Sequence, residues 1–195
     1  MLDLLSYPRS MVASFLFAVW TMLCAIAMIF CGFLNNRKIE DAIVVAWTKG
    51  TCKLFGVKVV VQGQEDMPQN GCIYLFNHTS FFDIFAMNGY LNSFRFGAKI
   101  ELFRIPIFGA GMKRAGILPI ARDNREEVFR VYRAAEERIR RGERFALAPE
   151  GTRQPVEKLG KFKSGPFVFA INAHAPLVPV VVKGALKVWP KGSIF

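Results

Sequence analysis

From Met11 to Leu34 the chain runs 24 residues without one charged side chain. As a helix rising about 1.5 Å per residue, such a run covers a hydrocarbon core of roughly 30 Å, so it demands lipid or an apolar protein surface around it. It exceeds the apolar core of a cleaved leader, about 7–15 residues, and no small-x-small site precedes Asn35-Asn36-Arg37-Lys38. A membrane helix is the expectation, with a helix buried in protein as the alternative. Arg37, Lys38 and the basic residues beyond predict a cytoplasmic or inner membrane, with everything after Leu34 on the cytoplasmic side.

Charge then divides the chain. Residues 1–94 carry six Lys or Arg against six acids, so the whole net charge of +11 falls in residues 95–195, with 20 bases against nine acids. Such a field draws nucleic acid, anionic lipid, or a phosphorylated substrate and its carrier. Nucleic acid is set aside: the chain has no zinc-finger spacing and no single-strand-binding signature, and its apolar helix would tether it to a bilayer. Nineteen phenylalanines point the same way, toward apolar surface that meets lipid. Cys24, Cys31, Cys52 and Cys72 show neither Cys-x-x-Cys spacing nor a His-rich neighbour, which argues against a metal site and a disulfide framework and for reduced thiols.

Residues 38–55 place Ile43, Val44, Trp47, Leu54 and Phe55 among charged groups, an amphipathic helix suited to a membrane surface or to packing on the domain. The period then changes. Residues 57–61 and 72–76 are expected as strands around a turn at 68–71, followed by a helix near 80–91 and a strand near 94–98. A helix broken at Pro106, a strand at 117–121, a long helix over 124–141 and strands at 145–148 and 177–182 around a helix near 164–173 complete the order. The predicted fold is α/β: a central mixed sheet covered by helices, preceded by the hydrophobic membrane helix and the amphipathic helix. Residues 1–56 form the membrane-anchoring segment, and residues 57–195 the domain that carries the chemistry.

Asn77-His78-Thr79-Ser80-Phe81-Phe82-Asp83 falls where a strand gives way to a helix, the usual place in α/β folds for groups facing a substrate. Ser80 fits an N-cap and Asp83 the third helical position, so one reading is a capping box that merely satisfies backbone N–H groups. The functional reading has Asp83 accept a hydrogen bond from one imidazole nitrogen of His78, which leaves the other nitrogen a base. Such a pair can take the proton of an alcohol as it attacks a thioester. Ser80 and Cys72 are nearby candidates for a covalent intermediate, but the first suits the cap and the second lies in an apolar strand. Pro149-Glu150-Gly151-Thr152-Arg153 follows another strand: Gly151 permits a tight turn, and Arg153 offers a fork for phosphate oxygens that Glu150 can orient. A surface loop with a local ion pair is the alternative. Lys99 and Arg122 each follow an expected strand, where each taken alone reads as a solvated charge and the alternative is projection toward the same sheet edge as His78. Gly109-Ala110-Gly111 does not read as a nucleotide loop, and His174 reads as structural.

Together these residues resemble the glycerolipid acyltransferases typified by 1-acylglycerol-3-phosphate acyltransferase. His78-x4-Asp83 is similar to that family's first motif and residues 149–153 to its third. Residues 99–102 with Pro106, Gly109 and 116–122 are similar to the second, and Val178-Pro179-Val180 to the fourth. The resemblance implies His78 as general base, Asp83 as its orienter, and Arg122, Glu150, Gly151, Thr152 and Arg153 around the acceptor phosphate, with Lys99 as a helper. It implies transfer of a fatty acyl group from acyl-CoA or acyl carrier protein to the sn-2 hydroxyl of lysophosphatidic acid, giving phosphatidic acid, at a bilayer and with no metal or cofactor. Another lysolipid or an aminoacyl lipid as acceptor, or a silent protein that binds anionic lipid, are the alternatives. Ala148 and Gln154 depart from the family's usual aromatic and Ser around the third motif, which bears on the acceptor. The chain also ends sooner than such domains commonly do, so a final strand is expected to be missing.

Overall fold

The computed structural model describes residues 6–156, 158–190 and 192. Helix α1 (Ser6–Cys31) holds most of the charge-free run, which ends in a 3-10 turn at Gly32–Leu34; helix α2 (Arg37–Leu54) then begins, capped by the Asn36 side chain on the Lys38 N–H. The two helices are clamped together. Trp20 Nε1 donates to the Trp47 carbonyl at 3.1 Å and Trp47 Nε1 to Thr21 Oγ1 at 3.0 Å, which gives both indole N–H groups partners in an apolar seam. Ala25 and Met28 are buried, while Met11, Phe15, Leu23, Phe30 and Phe33 are exposed. From Met11 onward, one side of α1 therefore packs on protein and the other presents an apolar surface. The choice between packing and a membrane surface for α2 falls to packing on the protein: Val44, Thr48, Thr51 and Cys52 are buried, and Trp47 lies edge-on to Phe85 with ring centroids 4.9 Å apart.

Five strands follow among the described residues: β1 (Ile73–Phe76), β2 (Arg95–Lys99), β3 (Leu118–Ile120), β4 (Phe145–Leu147) and β5 (Leu177–Val180). They form one sheet in the order β3-β2-β4-β1-β5. The α/β architecture is as expected, but every pairing is parallel rather than mixed. Parallel neighbours need crossovers, and helices supply them: α3 (Asp83–Asn88), α4 (Phe108–Arg114), α5 (Arg125–Arg140) and α6 (Gly165–Ala173). Because side chains alternate along a strand, Ile73, Phe145 and Leu147 pack against Tyr132, Ile139 and Phe169 of α5 and α6. Tyr74, Phe76 and Ala146 pack on the other face with Met87 of α3.

The strand expected over 57–61 is extended but pairs with nothing in the sheet. Val57 and Val59 pack against the cluster of Cys52, Phe82 and Phe85, so their alternation reflects burial of one side without a ladder. A short helix α7 (Ala185–Val188) adds an element that residue pattern does not predict. The break at Pro106 is sharp: Phe108 N donates to Pro106 O at 2.6 Å around Ile107, whose φ of 62° and ψ of −58° make a strained three-residue turn. Gly109 and Gly111 are packing residues of α4. A methyl group built on Gly109 would overlap the Phe103 carbonyl, and one on Gly111 would sit 3.0 Å from Ala25 Cβ, so both glycines permit close approach.

Candidate active site

All the polar candidates sit on the carboxyl edge of the sheet, past the ends of β1, β2, β3 and β4, where parallel α/β sheets present ligands. β4 lies between β1 and β2, so the loop after β4 falls beside the loop after β1. Backbone bonds join them. His78 N donates to Glu150 Oε2 at 2.8 Å, and Gln154 N donates to the His78 carbonyl at 2.7 Å. On the far side, the Asn77 amide donates to the Val182 carbonyl at 2.9 Å and accepts from Val182 N at 2.7 Å, prolonging the β1–β5 pairing by a side chain. His78 is thus held by its neighbours on both flanks.

Its imidazole is held as tightly. Nδ1 lies 2.8 Å from Asp83 Oδ2, and the same oxygen accepts from Thr79 N at 2.9 Å and Ser80 N at 3.0 Å. The capping and functional readings therefore coincide in one carboxylate oxygen. The cap itself is shifted: α3 begins at Asp83, and Ser80 Oγ accepts from Phe82 N at 2.9 Å while donating to the Trp189 carbonyl at 2.7 Å. Asp83 is fully buried, and its Oδ1 has no hydrogen-bond partner among the described residues, so Oδ2 takes the whole load. With a proton on Nδ1 donated to Asp83, a neutral imidazole would offer Nε2 as a base. Phe76 supports the ring edge-on, with centroids 5.4 Å apart.

A cavity of about 380 Å³ opens at this edge and runs inward between the sheet and the N-terminal helices. His78, Lys99, Arg122, Gly151 and Arg153 line its polar end. Beyond them the walls are apolar, with Cys24, Ala25 and Met28 from α1, Val44 and Trp47 from α2, and Met112 from α4. Sequence reasoning missed these wall residues, because an apolar stripe looks the same whether lipid or a cavity faces it. Burial, and then the neighbouring Arg122 charge, lower the pKa of Arg153, while Asp83 acts in the opposite sense. An incoming phosphate would relieve that crowding of cations.

Two of the residues expected around the acceptor lie outside the cavity lining. Glu150 is only 3% exposed and outside the cavity lining; its oxygens accept from His78 N and from Gly160 N, the latter at 2.9 Å. A carboxylate facing a phosphate would repel it, whereas here Glu150 ties three backbone segments together. Thr152 is exposed and also lies outside the lining. Gly151 does turn the chain, at a φ of 72°. Lys99 is half-exposed and lies 3.3 Å from Glu101. Ser80 and Cys72 are both fully buried, and burial pushes the Cys72 thiol up. His174 ends α6 in the left-handed conformation, just before β5 and hence at the opposite edge of the sheet from His78.

Known proteins are similar to this chain in sequence and fold. A 1-acyl-sn-glycerol-3-phosphate acyltransferase of Brassica napus chloroplasts is 34% identical over 161 residues, covering 81% of this chain and 46% of that protein. The Pseudomonas aeruginosa enzyme of the same description is 32% identical over 141 residues, covering 71% of this chain and 54% of that one. The chain thus spans about half the length of these relatives. The crystal structure of the 1-acyl-sn-glycerophosphate acyltransferase from Thermotoga maritima superposes with a TM-score of 0.79 at 26% identity, over 95% of this chain and 79% of that one. The family sequence model described as Acyltransferase matches residues 58–183, from the extended valines to the end of the β5 segment, and on that match the chain belongs to the acyltransferase family.

Proposed function

We propose that this chain transfers a fatty acyl group from acyl-CoA or acyl carrier protein to the sn-2 hydroxyl of 1-acylglycerol-3-phosphate, giving phosphatidic acid. The observation that carries the reading is the His78–Asp83 pair at 2.8 Å, set on the wall of a cavity with a cationic mouth and an apolar interior. Nε2 of His78 takes the acceptor's hydroxyl proton as the alcohol oxygen attacks the thioester carbonyl; the C–S bond breaks, and the thiolate leaves with the proton returned from the imidazolium. General-base assistance of this kind is worth about 10²–10⁴ in rate. The thioester is already activated, and the burial of Ser80 and Cys72 supports direct transfer without an acyl-enzyme.

Arg153 and Arg122, with Lys99 nearby, hold the acceptor phosphate at the mouth; Glu150 serves as a brace that keeps His78 and the Arg153 turn in register. An acyl chain occupies the apolar interior, whose volume falls within the roughly 300–1,000 Å³ usual for ligand pockets. Residues 1–56 are a membrane-anchoring segment that also walls the cavity, and residues 57–195 are the catalytic part. The exposed side of α1 meets the bilayer, with the catalytic part on its cytoplasmic face. The test is a steady-state assay of the purified chain with a panel of lysolipids and both donor types. Lysophosphatidic acid should be acylated fastest, to phosphatidic acid. Faster transfer to another lysolipid or an aminoacyl lipid would change the acceptor, and no transfer to any would refute the reading.

A further inference from the structure

We infer that the loop over residues 155–163, beside the Arg153 turn, is a second membrane contact that seats in an anionic bilayer surface and feeds the acceptor to the cavity mouth. The inference rests on the function proposed above. Val156, Leu159 and Phe162 are 55%, 62% and 47% exposed, three apolar side chains within seven residues. Lys158, Lys161 and Lys163 alternate with them, and by sequence the loop contains one acid, Glu157. Single exposed apolar residues are ordinary on any surface. Apolar tips spaced among lysines are what a segment needs to sit at the boundary of headgroups and acyl chains, with hydrocarbon beneath the tips and lipid phosphates around the ammonium groups.

The loop is also held where such a contact would matter. Gly160 N donates to Glu150 Oε1 at 2.9 Å and Lys163 N to the Pro149 carbonyl at 2.8 Å, so it is fastened to the residues that lead into Gly151 and Arg153. Phe162 rests against the Phe167 ring of α6, with planes 28° apart and centroids at 6.2 Å, and stays half-exposed. Exposed Phe81, which lines the same cavity as His78 and Arg153, lies edge-on to Trp189, which in turn meets Phe17 of α1. Apolar surface at the cavity opening is therefore not confined to the loop. An acidic carrier protein would engage the lysines and leave Leu159 and Phe162 without a role, so the bilayer is the occupant the residues fit.

The experiment compares two presentations of the acceptor to the full chain: long-chain lysophosphatidic acid in phosphatidylglycerol-containing vesicles, and a short-chain form dissolved as monomers. Leu159→Ser/Phe162→Ser should lower the vesicle rate about tenfold or more and leave the monomer rate within about twofold, since it removes apolar insertion alone. Leu159→Ile/Phe162→Leu should preserve both rates. Equal loss on both acceptors would overturn the inference by placing the loop in the fold or the site, and no loss on either would overturn it by leaving the loop in solvent. A raised Michaelis constant for a carrier-protein donor in Lys158→Glu/Lys161→Glu, with the serine variant unaffected, would assign the surface to the carrier instead. A readout without turnover separates this inference from the proposed activity. In Phe162→Trp, brominated acyl chains should quench the added emission, measured against the parent's Trp20, Trp47 and Trp189; an unquenched indole overturns the inference whatever the enzyme does.

Discussion

Replacing Glu150 by Gln separates bracing from substrate contact. The carboxylate accepts two backbone N–H groups, from His78 at 2.8 Å and Gly160 at 2.9 Å, and is 3% exposed. An amide offers one acceptor oxygen, so whichever way the replacement side chain turns, its NH₂ faces an N–H. Two bonds to a charged acceptor, about 1.5–3 kcal/mol each, give way to one neutral bond of about 0.5–1.5, a loss of about 2–5 kcal/mol. Against a total stability of about 5–15 kcal/mol the fold survives, with a melting temperature lower by about 4–20 °C. Freed from Glu150, the His78 backbone and the Arg153 turn lose their mutual register, so kcat should fall while the Michaelis constants of both substrates change less. Thermal melts and initial rates of the purified variant in lipid decide the matter. A variant with unchanged melting temperature and a raised Michaelis constant for the acceptor alone would refute the reasoning and return Glu150 to the acceptor.

Arg153→Lys should raise the Michaelis constant for lysophosphatidic acid well before that for the donor, because a single ammonium replaces a planar fork, and Arg153→Ala should weaken acceptor use by about 1.5–3 kcal/mol. A donor constant rising alone would assign Arg153 to the carrier-binding surface. Glu143 links Arg138 of α5 at 2.7 Å to Arg37 of α2 at 3.0 Å. Burial would raise its carboxyl, but Arg138, then Arg37 and Arg95, outweigh burial and hold it below the usual carboxylate range. Its stabilisation is therefore full above the unfolded value of about 4.3 and is lost as pH falls through the lower folded one. Glu143→Gln should be less stable at pH 7 and show a shallower loss below about pH 4 in acid-unfolding curves; an unchanged acid limb would remove Glu143 from the account.

The His78–Asp83 contact was legible because it is local: the two residues lie five apart at a strand end, and the turn that caps α3 is also the turn that joins them. The Gly151 turn that precedes Arg153 was legible for the same reason. The Glu150 contacts were not, since the His78 N–H is 72 residues away in sequence and the pairing exists only once β4 lies beside β1. Strand direction was hidden too: runs as short as Phe145–Leu147 and Leu118–Ile120 carry no mark of whether their neighbour runs parallel. Residues 57–61 show that alternation specifies a half-buried segment without specifying that it pairs. The part of the cavity wall that α1 supplies was the deepest omission. Its apolar composition satisfied a membrane reading so fully that Cys24, Ala25 and Met28 gave no separate signal of the cavity they wall.

The most direct measurement is the initial rate of acyl transfer from a thioester donor to lysophosphatidic acid by His78→Ala, purified in lipid and matched to the parent by its thermal melt. Removing the imidazole leaves Asp83 with its two backbone donors and the cavity walls in place, so the fold should persist while the base disappears. The rate should drop by about 10²–10⁴ at unchanged melting behaviour. A folded His78→Ala chain that retained more than about a tenth of the parent turnover, far above the usual loss of a general base, would contradict the account.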